Sequence, residues 1–143
     1  MSGTNDVAVY TDGAARGNPG PAAIGYAIYD SAGRLVEKAS KFIGRRTNSE
    51  AEYEALLWAI ERASKLTNGR ARFFSDSEFM VRQVRGVYRA NDARMRGFLS
   101  EVLENVRLFD SFEIAHVRRE DPKIALVDGL VNATLAEKGF PKK

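Results

Sequence analysis

Cysteine is absent from this chain of 143 residues, and histidine occurs only once, at His116. A protein without cysteine forms no disulfide and no zinc–thiolate site, and its composition is compatible with a reducing compartment. A single histidine likewise provides no cluster for a soft metal ion. Any metal chemistry in this protein would therefore depend on carboxylates.

Long apolar runs are missing as well. No segment has the roughly 20 apolar residues that cross a bilayer. The first six residues contain no basic stretch leading into an apolar run, as a signal peptide would. We therefore expect a cytoplasmic protein without membrane association. A Gly-x-x-x-x-Gly-Lys loop is also absent, so nothing supports hydrolysis of a nucleoside triphosphate.

The composition is that of an ordinary globular protein. Hydrophobic residues make up 44% of the chain and charged residues 29%, and the length suits one hydrophobic core. We expect a single domain over residues 1–143, and a monomer. The formal net charge of +3 permits a polyanionic partner without requiring one.

The order of predicted strands and helices indicates an α/β fold. Strands at 7–11, 22–29 and 35–42 follow one another across short turns, which predicts an antiparallel meander. Two later strands, at 71–75 and 112–117, are separated by helices, so we expect a mixed sheet flanked by helices. The predicted helices cover residues 48–66, 78–85, 93–108 and 121–139.

A carboxylate directly follows the first predicted strand. Asp12 stands between the apolar residues 7–11 and a turn that contains Gly17, Asn18 and Pro19. A carboxylate at that position would destabilise a hydrophobic core, whereas it could serve as a ligand in a metal site. If other acids converge on Asp12, the chain is a metal-dependent enzyme acting on phosphate esters.

Glu52 heads an apolar stripe of the first predicted helix. The residues that share its face are Ala55, Leu56, Ala59, Ile60 and Ala63. One interpretation of Glu52 is a capping box with Ser49, although Thr47 and Glu50 fit the same Ser/Thr-x-x-Glu pattern. The other is a site residue, and the helix pattern alone leaves both open.

Asp76 and Asp128 also have two interpretations each. Asp76 follows the strand at 71–75, so it is either a helix N-cap or a ligand at the carboxyl end of a strand. Asp128 shares a helix face with Ile124 and Val131. It is either a partly exposed acid favoured by the helix dipole or a buried carboxylate whose charge a divalent cation offsets.

Four carboxylates at strand ends and on inward helix faces suit Mg²⁺, a hard cation that prefers oxygen ligands. Two such ions, held about 4 Å apart, orient an attacking water and stabilise the leaving oxygen of a phosphodiester. Mg²⁺ is therefore the expected cofactor, with Mn²⁺ able to substitute. The four candidate ligands are Asp12, Glu52, Asp76 and Asp128.

Four motifs, in the family's order, resemble those of type 1 ribonuclease H. They are Tyr10-Thr11-Asp12-Gly13 with its continuation to Pro21, residues 47–56, Ser75-Asp76-Ser77, and residues 116–120 with 127–132. The resemblance covers nearly the whole chain. It implies the ribonuclease H-like five-stranded mixed sheet, with a three-strand antiparallel meander and two parallel strands. It also implies a two-metal endonuclease that cuts the RNA strand of an RNA–DNA hybrid, leaving 5′-phosphate and 3′-hydroxyl ends.

The resemblance also implies roles for individual residues. The four acids would hold the metal ions, and His116 would assist water activation or product release. Asn18 and Asn48 would touch the minor groove of the hybrid, and Thr47 would help hold a DNA phosphate. Turn, cap and packing chemistry is the alternative for these residues. The substrate-binding candidates are Gly13, Asn18, Thr47, Asn48, Ser49 and Tyr88.

Three features depart from the family's usual pattern. Ser49 stands where a second Asn is expected, Glu78 stands where Gln is common, and the run from His116 to Asp128 is two residues longer. An acid at position 78 would repel a phosphate backbone unless it points away. Residues 86–92 are too few for the basic handle helix of some members, so we expect the compact form.

Three functions follow as hypotheses. The leading one is the endoribonuclease acting on hybrids, with double-stranded RNA left open as an additional substrate. The alternatives are a non-catalytic module that binds hybrids or duplexes, and a different nuclease on the same fold. A full set of four acids disfavours the first alternative, and the Gly-Asn-Pro-Gly turn at 17–20 disfavours the second.

Overall fold

The structure, a computed structural model, describes residues 6–142. Its strands are β1 (Val7–Ala15), β2 (Gly20–Tyr29), β3 (Leu35–Arg46), β4 (Arg70–Ser75) and β5 (Ser111–His116). Its helices are α1 (Asn48–Ser64), α2 (Glu78–Val84), α3 (Ala93–Asn105) and α4 (Pro122–Glu137). A short 3₁₀ turn, Val106–Leu108, follows α3.

The strands form one mixed sheet in the order β3-β2-β1-β4-β5. β1, β2 and β3 pair antiparallel as a meander, and β4 pairs parallel with both β1 and β5. The predicted five-stranded mixed sheet is confirmed. Parallel neighbours place the carboxyl ends of β1, β4 and β5 at the same edge of the sheet, where ligands bind in open α/β folds.

The first strand is longer than predicted. The sequence placed its end at Thr11, directly before Asp12, and this was wrong because β1 continues to Ala15. The physical reason is the partner strand β2, which pairs with β1 throughout and sets Asp12 opposite Gly25. The parallel pairing of β1 with β4 ends earlier, at Tyr10. Asp12 therefore lies just past the point where β1 and β4 separate.

Other boundaries differ by a few residues. β3 extends to Arg46 rather than residue 42, because β2 pairs with it over that length. α1 ends at Ser64 rather than residue 66. The predicted third helix ends in the 3₁₀ turn. Within the described chain, residues 85–92 contain no helix, so the compact form without a handle is confirmed.

Helices cover both faces of the sheet. Side chains alternate along β1, so Val7 and Val9 lie in a core with α1, α2 and α3, whereas Tyr10 lies in a second core with α4. The apolar stripe predicted on α1 is buried, and so are the α4 residues Ile124 and Val131. The molecule therefore has three layers, with the sheet in the middle.

Helix α1 begins with a capping box made by Thr47 and Glu50. The Thr47 hydroxyl accepts a hydrogen bond from the Glu50 N–H (3.1 Å), and the Glu50 carboxylate accepts one from the Thr47 N–H (2.8 Å). Such a box satisfies two backbone donors that the helix start leaves unpaired. The capping interpretation of Ser49 and Glu52 is therefore wrong, and the Glu52 side chain is available for another role.

Helix α4 approaches the sheet closely at Gly25. A Cβ atom on Gly25 would lie 3.0 Å from Val131 Cγ2 and 3.3 Å from Val127 Cγ1. These distances are shorter than ordinary carbon–carbon contacts. The absence of a side chain at position 25 therefore sets the separation between α4 and β2.

No helix within residues 6–142 combines the length and apolarity that a membrane crossing requires.

Candidate active site

Three carboxylates from distant parts of the chain meet at the edge of the sheet. One oxygen from each of Asp12, Glu52 and Asp76 lies within 4.8 Å of the other two. These residues come from β1, from α1 and from the position directly after β4. Asp12 is only 5% exposed, and the other two are half-buried. Three like charges at this separation repel one another strongly unless protons or cations neutralise them.

Gly13 allows α1 to approach this cluster. A Cβ atom on Gly13 would lie 2.4 Å from the carbonyl oxygen of Ala51, a distance that no side chain can occupy. Burial raises the pKa of Glu52, and the backbone N–H of Gly13 offsets part of that rise. Gly13 thus brings the helix, and with it Glu52, against β1.

Burial and like charge raise the pKa values of the buried acids. Burial, followed by the carboxylates of Asp76 and Asp128, raises the pKa of Asp12 to about 8. Burial is also the main cause that raises the pKa of Glu52 well above its usual range, with Asp12 and Asp76 adding to it. Asp12 therefore carries a proton near neutral pH unless a positive charge is supplied, and the pKa of Glu52 is shifted in the same direction.

A divalent cation fits this set of donors. Glu52 Oε1 is buried and, within the described residues, has no hydrogen-bond partner. An unsatisfied buried oxygen is costly and calls for an explanation. The candidate ligands in the cluster are all carboxylate oxygens, which suit Mg²⁺ or Mn²⁺ rather than a soft metal.

Asp128 lies beside the three-acid cluster. Its carboxylate is close enough to contribute, after burial and Asp76, to the raised pKa of Asp12, but its oxygens are not among those that all lie within 4.8 Å of one another. It occupies the second turn of α4 and is half-buried. Asn132, one helical turn further on, donates a hydrogen bond from Nδ2 to Asp128 Oδ2 (3.1 Å). Its role as a metal ligand stays a prediction.

Asp76 is not a helix cap, because the Ser77 hydroxyl accepts the capping hydrogen bond from Met80 N–H. Instead, Arg119 Nε lies 3.6 Å from Asp76 Oδ2. The Arg119 charge also lowers the pKa values of Asp12 and Glu52, although it does not outweigh their burial. Sequence reasoning missed Arg119, since nothing in the residues between β5 and α4 shows that this side chain turns toward the acids.

His116 is the last residue of β5 and is exposed. It pairs in register with Ser75, and the Val117 N–H donates to the Ser75 carbonyl (2.9 Å). His116 therefore lies beside the last residue of β4, directly before Asp76, but neither of its nitrogens joins the acid cluster. Its catalytic role stays a prediction.

Asn18 and Asn48 connect the turn after β1 with the start of α1. Asn18 Oδ1 accepts a hydrogen bond from the Asn48 N–H (2.9 Å), and Asn48 Oδ1 accepts one from the Ala15 N–H (3.0 Å). The predicted turn and cap chemistry is thus present. Both side chains are exposed, as is Ser49. Together with Thr47, Asn18 and Ser49 line a shallow depression, where a ligand could reach them.

Tyr88 lies on the segment between α2 and α3. Its ring packs against Phe79, with centroids 5.3 Å apart, and the Arg82 guanidinium lies 5.5 Å from it. Tyr88 remains 42% exposed. Glu78, the acid expected to repel a phosphate backbone, forms an ion pair with Arg82 at 2.8 Å. Its charge is therefore partly offset.

Comparison with known proteins agrees with this architecture. The sequence family described as "Reverse transcriptase-like" matches residues 10–132. The ribonuclease HI of Halobacterium salinarum is 37% identical over 129 residues, which is 90% of this chain and 64% of that protein. The chain thus spans just under two thirds of the length of this curated relative.

Two solved structures are similar along almost their whole length. The crystal structure of RNase H1 from Halobacterium salinarum gives a TM-score of 0.88 at 36% identity, covering 92% of this chain and 98% of that chain. LC11-RNase H1 in complex with an RNA/DNA hybrid gives 0.85 at 36% identity, with the same coverage. The fold is thus that of a ribonuclease H-like protein. The chain belongs to the type 1 ribonuclease H family.

Proposed function

We propose that this protein is an endoribonuclease that hydrolyses the RNA strand of RNA–DNA hybrids. It uses two divalent metal ions and leaves 5′-phosphate and 3′-hydroxyl ends. The observation that carries the proposal is the meeting of Asp12, Glu52 and Asp76, together with a buried Glu52 oxygen that has no partner among the described residues. The names of the similar proteins support it, since one is a ribonuclease HI and another was solved with a hybrid.

The residues that would hold the metal ions are Asp12, Glu52 and Asp76, with Asp128 beside them. When bound, the ions would supply positive charge for the attacking water and for the leaving oxygen of the phosphodiester. Asp12 and Glu52 would give up their protons as the site fills, because a nearby cation favours the charged form of each carboxylate, which burial and like charge disfavour. His116, at the exposed end of β5, would assist water activation or product release.

The substrate would lie across the turn after β1 and the start of α1. Within residues 6–142 the side-chain NH₂ groups of Asn18 and Asn48 donate no hydrogen bond, so both can donate to a minor groove. A hybrid is recognised through its shape, its phosphates and its 2′-hydroxyls rather than its base sequence. Gly13, Thr47 and Ser49 complete this surface, and Tyr88 would contact the hybrid further along.

The remaining expectations belong to the same proposal. Mg²⁺ would be the metal in the cell, with Mn²⁺ able to replace it. The protein would act in the cytoplasm as a monomer of one domain over residues 1–143. The assay below tests whether double-stranded RNA is an additional substrate.

Replacing Asp12 by Asn tests the proposed function. The assay uses a labelled RNA–DNA hybrid, the matching RNA duplex and the matching DNA duplex, each with Mg²⁺ and with EDTA. The wild type should cut the RNA strand of the hybrid only with Mg²⁺. Asp12→Asn should lose about 10³-fold or more of that activity, because it removes a metal ligand.

Asp30→Asn is the matched control, since Asp30 lies in an exposed turn where its carboxylate accepts backbone hydrogen bonds from Ala32 and Arg34. It should cleave like the wild type. Normal Mg²⁺-dependent cleavage by Asp12→Asn would exclude the proposed mechanism. Tight binding of the hybrid without cleavage would indicate the non-catalytic module, and cleavage of the DNA duplex would indicate a different nuclease.

A further inference from the structure

We propose that Arg16 and Asn132 are positioning residues that orient the Asp128 carboxylate toward the metal site. They do so through a chain of hydrogen bonds that ends at the backbone of Phe140. This inference rests on the proposed function, because it takes Asp128 to be a ligand of the metal ions. Neither residue touches the three-acid cluster, so both act through Asp128.

Three hydrogen bonds form this chain. Asn132 Nδ2 donates to Asp128 Oδ2 at 3.1 Å, Arg16 Nη2 donates to Asn132 Oδ1 at 2.8 Å, and Arg16 Nε donates to the Phe140 carbonyl oxygen at 3.2 Å. The bonds link α4, the turn after β1 and the segment that follows α4. They therefore connect Asp128 to the strand that carries Asp12.

The chemistry of the two ends fixes the orientation of the Asn132 amide. A guanidinium only donates hydrogen bonds and an ionised carboxylate only accepts them. If the amide were rotated by 180°, its NH₂ would face Arg16 and its oxygen would face Asp128, and both hydrogen bonds would be lost. Arg16 thereby aims the Asn132 NH₂ at Asp128.

The far end of the chain is itself anchored. The Phe140 ring stacks on Phe42 of β3, with centroids 6.2 Å apart and planes 7° apart. The Phe140 N–H donates to the Leu135 carbonyl at 2.8 Å, closing the end of α4. The carbonyl that receives Arg16 is therefore held in place by the sheet and by the helix.

The hydrogen bond from Asn132 restrains the Asp128 carboxylate, which must be held in one orientation to bind a metal ion. Asp128 lies outside the tight cluster of three acids, and its carboxylate disfavours the charged form of Asp12. The bond from Asn132 holds Oδ2 and selects one side-chain rotamer, which leaves the other oxygen available for a cation. Partners of this kind typically change metal affinity or activity by about 10- to 100-fold when removed.

The first test is Asn132→Ala, with Asn105→Ala as the matched control. Asn105 makes a similar bond across one helical turn, from Nδ2 to the Glu101 carbonyl (2.8 Å), but on α3. We measure the Mg²⁺ and Mn²⁺ concentrations that half-saturate the rise in melting temperature without substrate, and kcat and KM for the hybrid. Asn132→Ala should raise the half-saturating metal concentration about 10-fold or more and lower kcat, with KM little changed.

The second test is a double-mutant cycle of Asn132→Ala with Arg16→Ala. If Arg16 acts through Asn132, Arg16→Ala weakens metal binding less than Asn132→Ala does, and the double variant equals Asn132→Ala alone. Arg16→Lys keeps the charge but cannot donate from two separate nitrogens, so it should resemble Arg16→Ala. Melting temperatures in EDTA identify any general loss of folding, and Asn132→Leu, which keeps the size of the side chain, should reproduce Asn132→Ala.

Wild-type metal affinity and kcat in Asn132→Ala would overturn the inference, as would additive effects in the cycle. Failure of the proposed function gives a different result, because the wild type itself then leaves the hybrid intact with Mg²⁺. The metal-dependent melting curves still report on the hydrogen-bonded chain in that case.

Discussion

At the scale of single residues, the contact between Gly13 and α1 decides whether Glu52 can reach Asp12. The Ala51 carbonyl occupies the place where a side chain at position 13 would begin. Backbone atoms cannot move aside as a flexible side chain can, so any substitution must separate β1 from α1. The same contact sets the distance between two of the three clustered acids.

Gly13→Ala should therefore destabilise the protein by about 2–3 kcal/mol, as overpacking of a filled interior does, and should weaken Mg²⁺ binding as well. Gly97→Ala is the control, because no atom lies within 4 Å of a Cβ built on Gly97 in helix α3. It should leave stability unchanged or raise it by up to about 1 kcal/mol. Urea unfolding in EDTA measures both, and equal midpoints for Gly13→Ala and wild type would contradict this account.

The sequence identified the clustered acids but not the residues that form hydrogen bonds or ion pairs with the acids. Asp12, Glu52 and Asp76 stood out because each places a charge where an apolar residue or a cap was expected, and the structure brings these three together. Asn132 and Arg119 carried no such signal, since an Asn on a helix and an Arg in a loop are ordinary. Only the fold shows that one faces Asp128 and the other Asp76.

At the scale of helices and strands, the capping box of α1 explains where that helix begins. The pairing of Thr47 with Glu50 fixes the first turn, and that turn places Glu52 about half a helical turn further along. Two overlapping Ser/Thr-x-x-Glu patterns had left the choice open. Hydrogen bonds of the Thr47 and Glu50 side chains settle it.

Thr47→Ala should lower the free energy of unfolding by about 1 kcal/mol, because the Glu50 N–H loses its acceptor. Thr47→Ser keeps the hydroxyl and should cost much less. Ser49→Ala should change stability by less than about 0.5 kcal/mol, since Ser49 is exposed. Chemical denaturation without metal separates these effects from any change in substrate binding, and a larger loss for Ser49→Ala than for Thr47→Ala would refute the cap assignment.

The types and order of the elements could be predicted, whereas several of their ends could not. Apolar spacing and turn residues identified all five strands and four helices. The end of β1 was misplaced because a carboxylate and a glycine are poor strand formers, and pairing with β2 overrides that local preference. Local propensity also says nothing about which strands lie next to each other, so the position of β4 beside β1 is seen only in the structure.

At the scale of the whole molecule, the buried acids make the free energy of unfolding depend on pH and on the metal concentration. In the unfolded chain Asp12 has a pKa near 3.9, whereas in the folded protein without metal its pKa is about 8. Between these values the folded state binds more protons than the unfolded state, so stability falls as pH rises. The raised pKa of Glu52 acts in the same direction.

In EDTA, the free energy of unfolding should therefore decrease from pH 5.5 to pH 8. The lowered pKa values of Glu37 and Glu50 act mainly at lower pH, where those acids take up protons. Mg²⁺ should restore stability at pH 8 but have little effect at pH 5.5, because cations and protons compete for the same oxygens. Asp12→Asn should reduce both the dependence of the free energy of unfolding on pH in EDTA and its dependence on Mg²⁺ at pH 8. A wild-type stability that rises toward pH 8 in EDTA would contradict this linkage.

Because α4 packs closely on Gly25, strand β2 helps to determine the position of Asp128, the fourth acid. Asp128 is carried by the outer layer that rests on this glycine, whereas Glu52 is carried by the opposite layer and Asp12 by the sheet between them. A methyl group at position 25 would contact Val127 and Val131 and push α4 away from the sheet. Asp128 would then move away from the site, whereas Asp12, Glu52 and Asp76 would keep their positions. The gap between α4 and the sheet would then govern where the fourth acid lies, through a strand residue that bears no charge of its own.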